Sequence, residues 1–319
     1  MTMFKKILSI ILTGALIVSA AAVLGSCGEE PEFPVKIGNI TIEEEPQNIV
    51  ILDKNLADII SAIGYDVKMV GRSDDVNQKG LEVVPSMGTA HDPSVTKIIK
   101  EKTDIVFTGS ELNDADVAKL KKAGIVVAQF EKANTIKQLK SLYIKIGTML
   151  GGNTEGKNAA TKVYKEIKDT LKAVKTAAKR DKTVSTLVYL YADNGVMKTI
   201  TNGSWASTLL GYTGSMNVFD SADSDVVDID KLLLADPNYI FVADKGVKKY
   251  LETSDVLGDL NALNDRTFII PLDELQLQGY TSLDVLEKII SDITSVDDNE
   301  AESGSSEENA DEYTEEGAE

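Results

Sequence analysis

The chain has 319 residues, 43% hydrophobic and 26% charged, proportions that suit a folded protein with a sizeable core and exclude collagen-like, disulfide-stapled or wholly disordered chains. Lys and Arg number 33 against 51 Asp and Glu, a formal net charge of −18 with no basic cluster, so no nucleic-acid partner is expected. A single histidine, His91, and a single cysteine, Cys27, exclude zinc sites built from four cysteines, from two cysteines and two histidines, or from three histidines within one chain.

Lys5 and Lys6 precede a mostly apolar run from Ile7 to Leu24, the pattern of a secretory signal. The run ends in Leu24-Gly25-Ser26-Cys27, which resembles the bacterial lipobox: an apolar residue, two small residues that let the peptidase reach the backbone, then the cysteine that becomes diacylated. On this reading residues 1–27 are a lipoprotein signal peptide and Cys27 is the lipidation site. The mature chain is then extracytoplasmic, lipid-anchored to the cell membrane, with the lipid bilayer as a partner through Cys27. An uncleaved N-terminal anchor is the other reading, because the apolar run approaches the length of a bilayer span. Residues 28–46 are acidic and Pro-rich and read as a tether, with Val35–Ile42 as an edge strand or hairpin.

From Asn48 onward short apolar strands alternate with amphipathic helices, the pattern of a sheet covered by helices. Residues 47–150 read as an N-terminal α/β lobe. Its strands are 48–52, 67–70, 104–107 and 125–130; its helices are 55–63, 92–100 and 114–122, with a further helix over 133–150. Gly151-Gly152 interrupts the helical pattern, and an interlobe helix occupies 151–180, its regular stretch running from Thr154 to Lys179. Residues 181–293 read as a C-terminal α/β lobe with strands at 184–191, 239–242 and 267–270 and helices at 204–210, 229–234, 245–251 and 281–293. Residues 294–319 read as an acidic disordered tail: from Asp297 onward eleven acids stand without a Lys or Arg, and such a segment buries too little apolar surface to offset its ordering entropy. The fold class is therefore α/β, two three-layer α/β lobes joined by one long interlobe helix, with a ligand cleft between the lobes.

The order of these elements, with the stretches Asn48–Val76, Pro85–Gly88, Asp92–Thr108, Leu120–Ala128, Ser141–Thr161 and Asp228–Ala243, resembles the cobalamin and iron-siderophore class of ABC-importer substrate-binding lipoproteins. The resemblance spans about residues 47–292 and rests on the order of the phrases, since each alone is a strand-helix template with a turn glycine. It implies a rigid interlobe helix, a metal chelate held between the lobes, and delivery to an ABC permease in the membrane. Such proteins usually carry a glutamate on each lobe, at the start of a helix, for arginines of the permease. The second-lobe position is similar to Asp230; in the first lobe Thr96 stands there, with Asp92 about one turn earlier as a substitute docking acid.

Ligand contacts in such a cleft come from loops at the carboxyl ends of strands. The candidates on the first lobe are Lys54, Arg72, Gly88, Ser110 and Glu111, within the loops Asp53–Asn55, Arg72–Asp74, Met87–His91, Gly109–Glu111 and Glu131-Lys132. Those on the second are Tyr191, Trp205, Asp244 and Asp273. Arg72 stands out as one of three arginines among thirty lysines, because a planar guanidinium offers paired donors to chelate oxygens; pairing with Asp74 or Asp75 is the alternative. Trp205, the single tryptophan, could cover a chelate or a corrin ring, or pack in the core. His91 and Met87 are remote candidates for axial ligation of iron or cobalt. No nucleophile, dinucleotide, nucleotide or zinc-protease motif is present, so the protein is not expected to be an enzyme, and no resident cofactor or protein-bound metal is expected. A ferric siderophore leads as the captured chelate, with cobalamin or haem next and a non-transporting surface sensor or scavenger as the other class; a monomer is expected.

Overall fold

A computed structural model describes residues 31–178 and 185–311, and Cys27 with the proposed signal lies outside them. A short hairpin, β1 (Val35–Ile37) and β2 (Ile40–Ile42), opens the described chain, and its antiparallel register sets Val35 opposite Ile42. Both of those residues are buried, at 1% and 4% exposure, so this part of the expected tether packs onto the body.

The first lobe is built on four parallel strands: β3 (Ile49–Ile51), β4 (Met69–Arg72), β5 (Ile105–Thr108) and β6 (Val126–Gln129), in the spatial order β4-β3-β5-β6. Side chains alternate across this sheet, so Ile49 and Ile51 enter one apolar cluster while Val50 and Leu52 enter another on the opposite face. Helix α1 (Lys54–Ile63) covers the first face. Asp53 caps it by accepting from the Leu56 N–H at 2.8 Å, its apolar stripe Leu56, Ile59, Ile60 and Ile63 is buried, and Gly64 ends it at φ +92°, a conformation glycine adopts without strain. Helices α2 (Val95–Lys100) and α3 (Asp114–Lys122) cover the other face, where Val95, Ile98 and Leu120 are buried. The strand expected at 67–70 begins later because Asp66–Lys68 forms a 3-10 turn, and α2 starts at Val95 because Ser94, not Asp92, is its N-cap.

Helix α4 (Ile136–Gly151) runs into a π-helical turn, Gly152–Gly156, and then into α5 (Lys157–Ala178). Two features make the corner. Gly147 packs so tightly that a Cβ there would meet the Ala160 Cβ and stand 2.5 Å from the Gly156 carbonyl oxygen. Glu32, preceding the hairpin, accepts from the Thr154 N–H at 2.8 Å and the Glu155 N–H at 3.1 Å, satisfying donors that the turn frees. At ~1.5 Å per residue α5 is about 33 Å long, enough to lie along both lobes.

The second lobe has a mixed sheet. Strand β7 (Thr186–Asp193) pairs antiparallel with β8 (Val196–Thr199) through a turn at Asn194-Gly195, and its lower half pairs in parallel with β9 (Met216–Asn217). On the other side lie β10 (Tyr239–Val242) and β11 (Thr267–Ile269), both parallel to β7 in direction. Around this sheet are α6 (Trp205–Leu210), α7 (Ile229–Ala235), α8 (Lys245–Glu252), the short α9 (Leu272–Leu275) and α10 (Thr281–Asp311). Strands β8 and β9 and helix α9 are absent from the sequence reading. Helix α10 continues to Asp311, past the expected end at Ile293, over a stretch read as a tail; that stretch has no proline to block the helix, and Gly304 within it lowers helix propensity by about 1 kcal/mol without barring the conformation.

Leu187, Tyr189 and Phe241 of the second sheet belong to the same apolar cluster as Ile49, Ile51, Ile59 and Ile60 of the first lobe. The core is thus continuous across the two lobes, and the described chain from Glu32 onward packs as one unit.

Candidate functional site

The carboxyl ends of β3 and β6 face the segment that follows β11. Asp53, besides capping α1, lies over Gly109, where any Cβ would collide with the Asp53 carboxylate. Burial raises the Asp53 pKa above the usual carboxylate range, against its Leu56 hydrogen bond and the charge of nearby Lys132. Next to it the Lys54 ammonium pairs with the Asp273 carboxylate at 2.5 Å, across the lobes. Burial would raise Asp273 as well, but the hydrogen bond and charge of Lys54 outweigh it and hold the group below its ordinary value. A second bridge runs from Lys132 Nζ to Gln276 Oε1 at 3.0 Å.

Behind these bridges the lobes are sealed by a buried polar set. Gln278 is fully buried; its Oε1 accepts from Asn55 Nδ2 and from the Ala133 N–H, both at 3.0 Å, while its Nε2 donates to the Ala133 carbonyl. Tyr143 donates its hydroxyl to the Gln278 carbonyl at 2.8 Å. Asp58 accepts from the Gly279 N–H at 2.5 Å and the Thr281 hydroxyl at 2.7 Å, so a first-lobe carboxylate caps the last helix of the chain. Burial pushes the Asp58 pKa up despite those donors.

In front of the seal lies a cleft cavity of about 310 Å³. The first lobe contributes Lys132 and Asn134; the second contributes Tyr191, Thr201, Asp225, Leu272 and Gln276, with Trp205 along one wall. Burial raises the Tyr191 pKa, so its phenol is a neutral donor at physiological pH. Lys198 pairs with Asp193 at 3.0 Å and Asp225 at 3.3 Å, which fixes the Asp225 side of the wall. Hydrogen-bonding groups of both lobes therefore converge on one cavity, which can hold an oxygen-rich ligand without a covalent step.

The structure brings Tyr191, Trp205, Lys54 and Asp273 to this region, but two of the expected roles change. Trp205 is 2% exposed and donates its indole N–H to the Leu277 carbonyl at 2.7 Å; it is a packed wall and not an open platform, because a buried N–H needs a fixed acceptor. Arg72 does not line the cavity: Nε donates to the Leu81 carbonyl at 2.9 Å and Nη1 to the Ser73 carbonyl at 3.1 Å, so the guanidinium ties down the loop after β4 in place of a ligand or of Asp74 and Asp75. Gly88, at φ +98°, shapes that loop, its carbonyl accepting from the Asp74 N–H. Ser110 closes a turn with Thr108, Glu111 is exposed beside it, and Asp244 caps α8 by accepting from the Gly246 and Val247 N–H groups. Met87 is in the core at 1% exposure, against Gly71, and His91 sits on an exposed turn. Asp230 is exposed in the first turn of α7; Asp92 is exposed ahead of α2, and Thr96 occupies its first turn. Thr201, Asp225 and Gln276 escaped the sequence reading. Asn194-Gly195, a hairpin-turn pair, was the available signal for β8 and hence for Thr199 to Thr201 at its end.

Residues 49–270 match the family described as periplasmic binding protein. The uncharacterized ABC transporter substrate-binding lipoprotein YvrC of Bacillus subtilis (strain 168) is 24% identical over 302 residues, covering 88% of this chain and 95% of that one. Among solved structures, the periplasmic heme binding protein HutB of Vibrio cholerae superposes with a TM-score of 0.67 at 16% identity, over 77% of this chain and 98% of that one. An ABC-type Fe3+-hydroxamate transport system protein from Saccharomonospora viridis DSM 43017 gives a TM-score of 0.62 at 20% identity, over 82% and 99%. With the family match spanning most of the chain, and the same two-lobed α/β architecture in these structures, the protein belongs to the periplasmic binding protein family.

Proposed function

We propose that the protein is the substrate-binding component of an ABC importer, held outside the cytoplasm through lipidated Cys27, and that it captures a ferric siderophore between its lobes for delivery to the permease. The observation that carries this reading is the convergence of Lys132 and Asn134 from one lobe with Tyr191, Thr201 and Gln276 from the other on a single cavity. Hydroxamate and catecholate oxygens accept from such donors, whereas a porphyrin or corrin face asks for an apolar platform, and the indole that could have supplied one is packed away. Likeness to the Bacillus subtilis substrate-binding lipoprotein supports the importer and the lipid anchor. Asp230 and Asp92, exposed on separate lobes, are the proposed permease contacts.

Titration calorimetry of the mature chain with ferric hydroxamate and ferric catecholate chelates, haem and cyanocobalamin tests the ligand class. A ferric siderophore should bind best, and Lys132→Ala should weaken it by roughly 10- to 150-fold, the worth of a hydrogen bond to a charged group. Tight binding of haem or cobalamin with no response to any ferric siderophore would overturn the ligand assignment while leaving the importer role standing.

A further inference from the structure

The charges around the cleft cavity narrow the ligand further than its hydrogen-bonding groups do. One basic residue, Lys132, and one acidic residue, Asp225, line it. The rest of the polar lining is uncharged, with Asn134, Tyr191, Thr201 and Gln276 supplying amides and hydroxyls. The wall is therefore formally neutral.

The groups behind the wall add no uncommitted cation. Lys198 is shared by Asp193 at 3.0 Å and Asp225 at 3.3 Å, so one ammonium faces two carboxylates. Lys54 is committed to Asp273 at 2.5 Å, and Lys132 itself lies in the field of Asp53. Tyr189 packs beside Tyr191, ring centres 6.4 Å apart, and its phenol feels Asp244 and Glu274 as well as Asp273. The local field is negative on balance, and an anion entering it loses hydration without gaining a partner for each charge.

Ferric chelates divide by charge. Three hydroxamates, each a monoanion, leave no net charge on an Fe3+ complex; three catecholates, each a dianion, leave three negative charges. Resting on the siderophore reading above, we infer that the cleft selects by charge: it takes an uncharged ferric trishydroxamate and rejects a trianionic triscatecholate, and Asp193 and Asp225 around Lys198 set the preference. The uncharged complex still accepts hydrogen bonds from Lys132, Asn134 and Thr201 and meets no repulsion. A trianion needs several free cations, and the cavity lining holds Lys132 alone.

Quenching of Trp205, the single tryptophan and part of the cavity wall, reports binding of either chelate to the mature chain. The probes are ferrichrome, an uncharged trishydroxamate, and ferric enterobactin, a trianionic triscatecholate. Ferrichrome should bind at least roughly tenfold more tightly at low ionic strength, because like charges juxtaposed on binding are costly. Added sodium chloride should leave the ferrichrome affinity nearly flat and raise that of ferric enterobactin, since screening weakens a repulsion. Asp193→Asn removes the second carboxylate on Lys198, leaves that lysine paired with Asp225, and should narrow the preference several-fold; Asp225→Asn, with Lys198 held by Asp193, should narrow it as well. A preference for ferric enterobactin, an enterobactin affinity that falls with salt, or a preference untouched by both variants would overturn the charge selection and leave the siderophore reading in place. Binding of neither chelate, beside tight binding of haem or cyanocobalamin, would overturn that reading and the charge selection with it.

Discussion

Gln278 carries an unusual share of the join between the lobes for one neutral side chain. Its amide meets Asn55 and both backbone groups of Ala133, at sequence separations of 223 and 145 residues, and it is fully shielded from water. A planar amide can donate and accept in one plane, which is what an unpaired backbone N–H and C=O at Ala133 require. Gln278→Met keeps the length and volume but offers neither group, leaving three buried polar partners unsatisfied. Each costs about 1–3 kcal/mol, with partial relief from relaxation, so an overall loss of roughly 2–5 kcal/mol is expected. Urea unfolding should show this as a lower midpoint at unchanged slope. A loss below about 0.5 kcal/mol would mean that water replaces the amide and that the seam is wetter than its burial indicates.

At the scale of elements, the corner between α4 and α5 shows how a glycine pattern sets geometry. Gly147 faces Ala160 and the Gly156 carbonyl with no room for a methyl group, and Gly151 lies against the Tyr65 hydroxyl. Gly147→Ala should therefore destabilise by about 1–3 kcal/mol through overpacking. Gly211, at φ −63° after α6 with its nearest obstacle at 3.4 Å, is the matched control, and Gly211→Ala should be neutral or stabilise by about 0.4–1 kcal/mol. Equal effects of the two substitutions in thermal melts would contradict the close-packed corner. The break at Gly151-Gly152 was legible because a double glycine stands out against a helical period, and the β3-α1 and β10-α8 units were legible because their apolar spacing is local. Strand β8 was not, since Lys198 and Thr199 blur its alternation. Arg72 was misread for a related reason: rarity marks a residue without revealing its partner, and carbonyls of Ser73 and Leu81 leave no trace in the pattern of side chains. Every bond across the seam shares this invisibility. Gln278 and Asp58 find partners far along the chain, and only the folded topology brings them together.

For the whole molecule the consequence is stiffness. Receptors whose lobes close on a ligand need a hinge of few contacts, able to absorb changes in backbone dihedrals. Here one apolar cluster runs through both lobes, and among the described residues six sets of polar contacts bridge them: the Lys54–Asp273 ion pair, the Lys132–Gln276 bond, the Thr208 hydroxyl on the Asn134 carbonyl, the Gln278 set, the Asp58 cap on α10, and Tyr280 on Glu166 of the long helix. Opening would expose core side chains worth roughly 1.5–3 kcal/mol apiece as well as breaking those bonds, more than the binding of a small chelate supplies. Ligand capture should therefore proceed by local adjustment of cleft side chains such as Lys132 and Gln276, with the lobes fixed. Solution scattering of the mature chain, for which a radius of gyration of about 18 Å is expected from ~265 folded residues, should change by less than ~2% when a saturating ferric chelate is added. A Gln278→Met, Lys54→Ala double variant should show a larger ligand-dependent change, because it removes the central seal and the ion pair at the cleft mouth. A contraction of 1 Å or more in the wild type, on the order of 5% of that radius, would show that the lobes swing and that the seam is the closed end of a hinge motion.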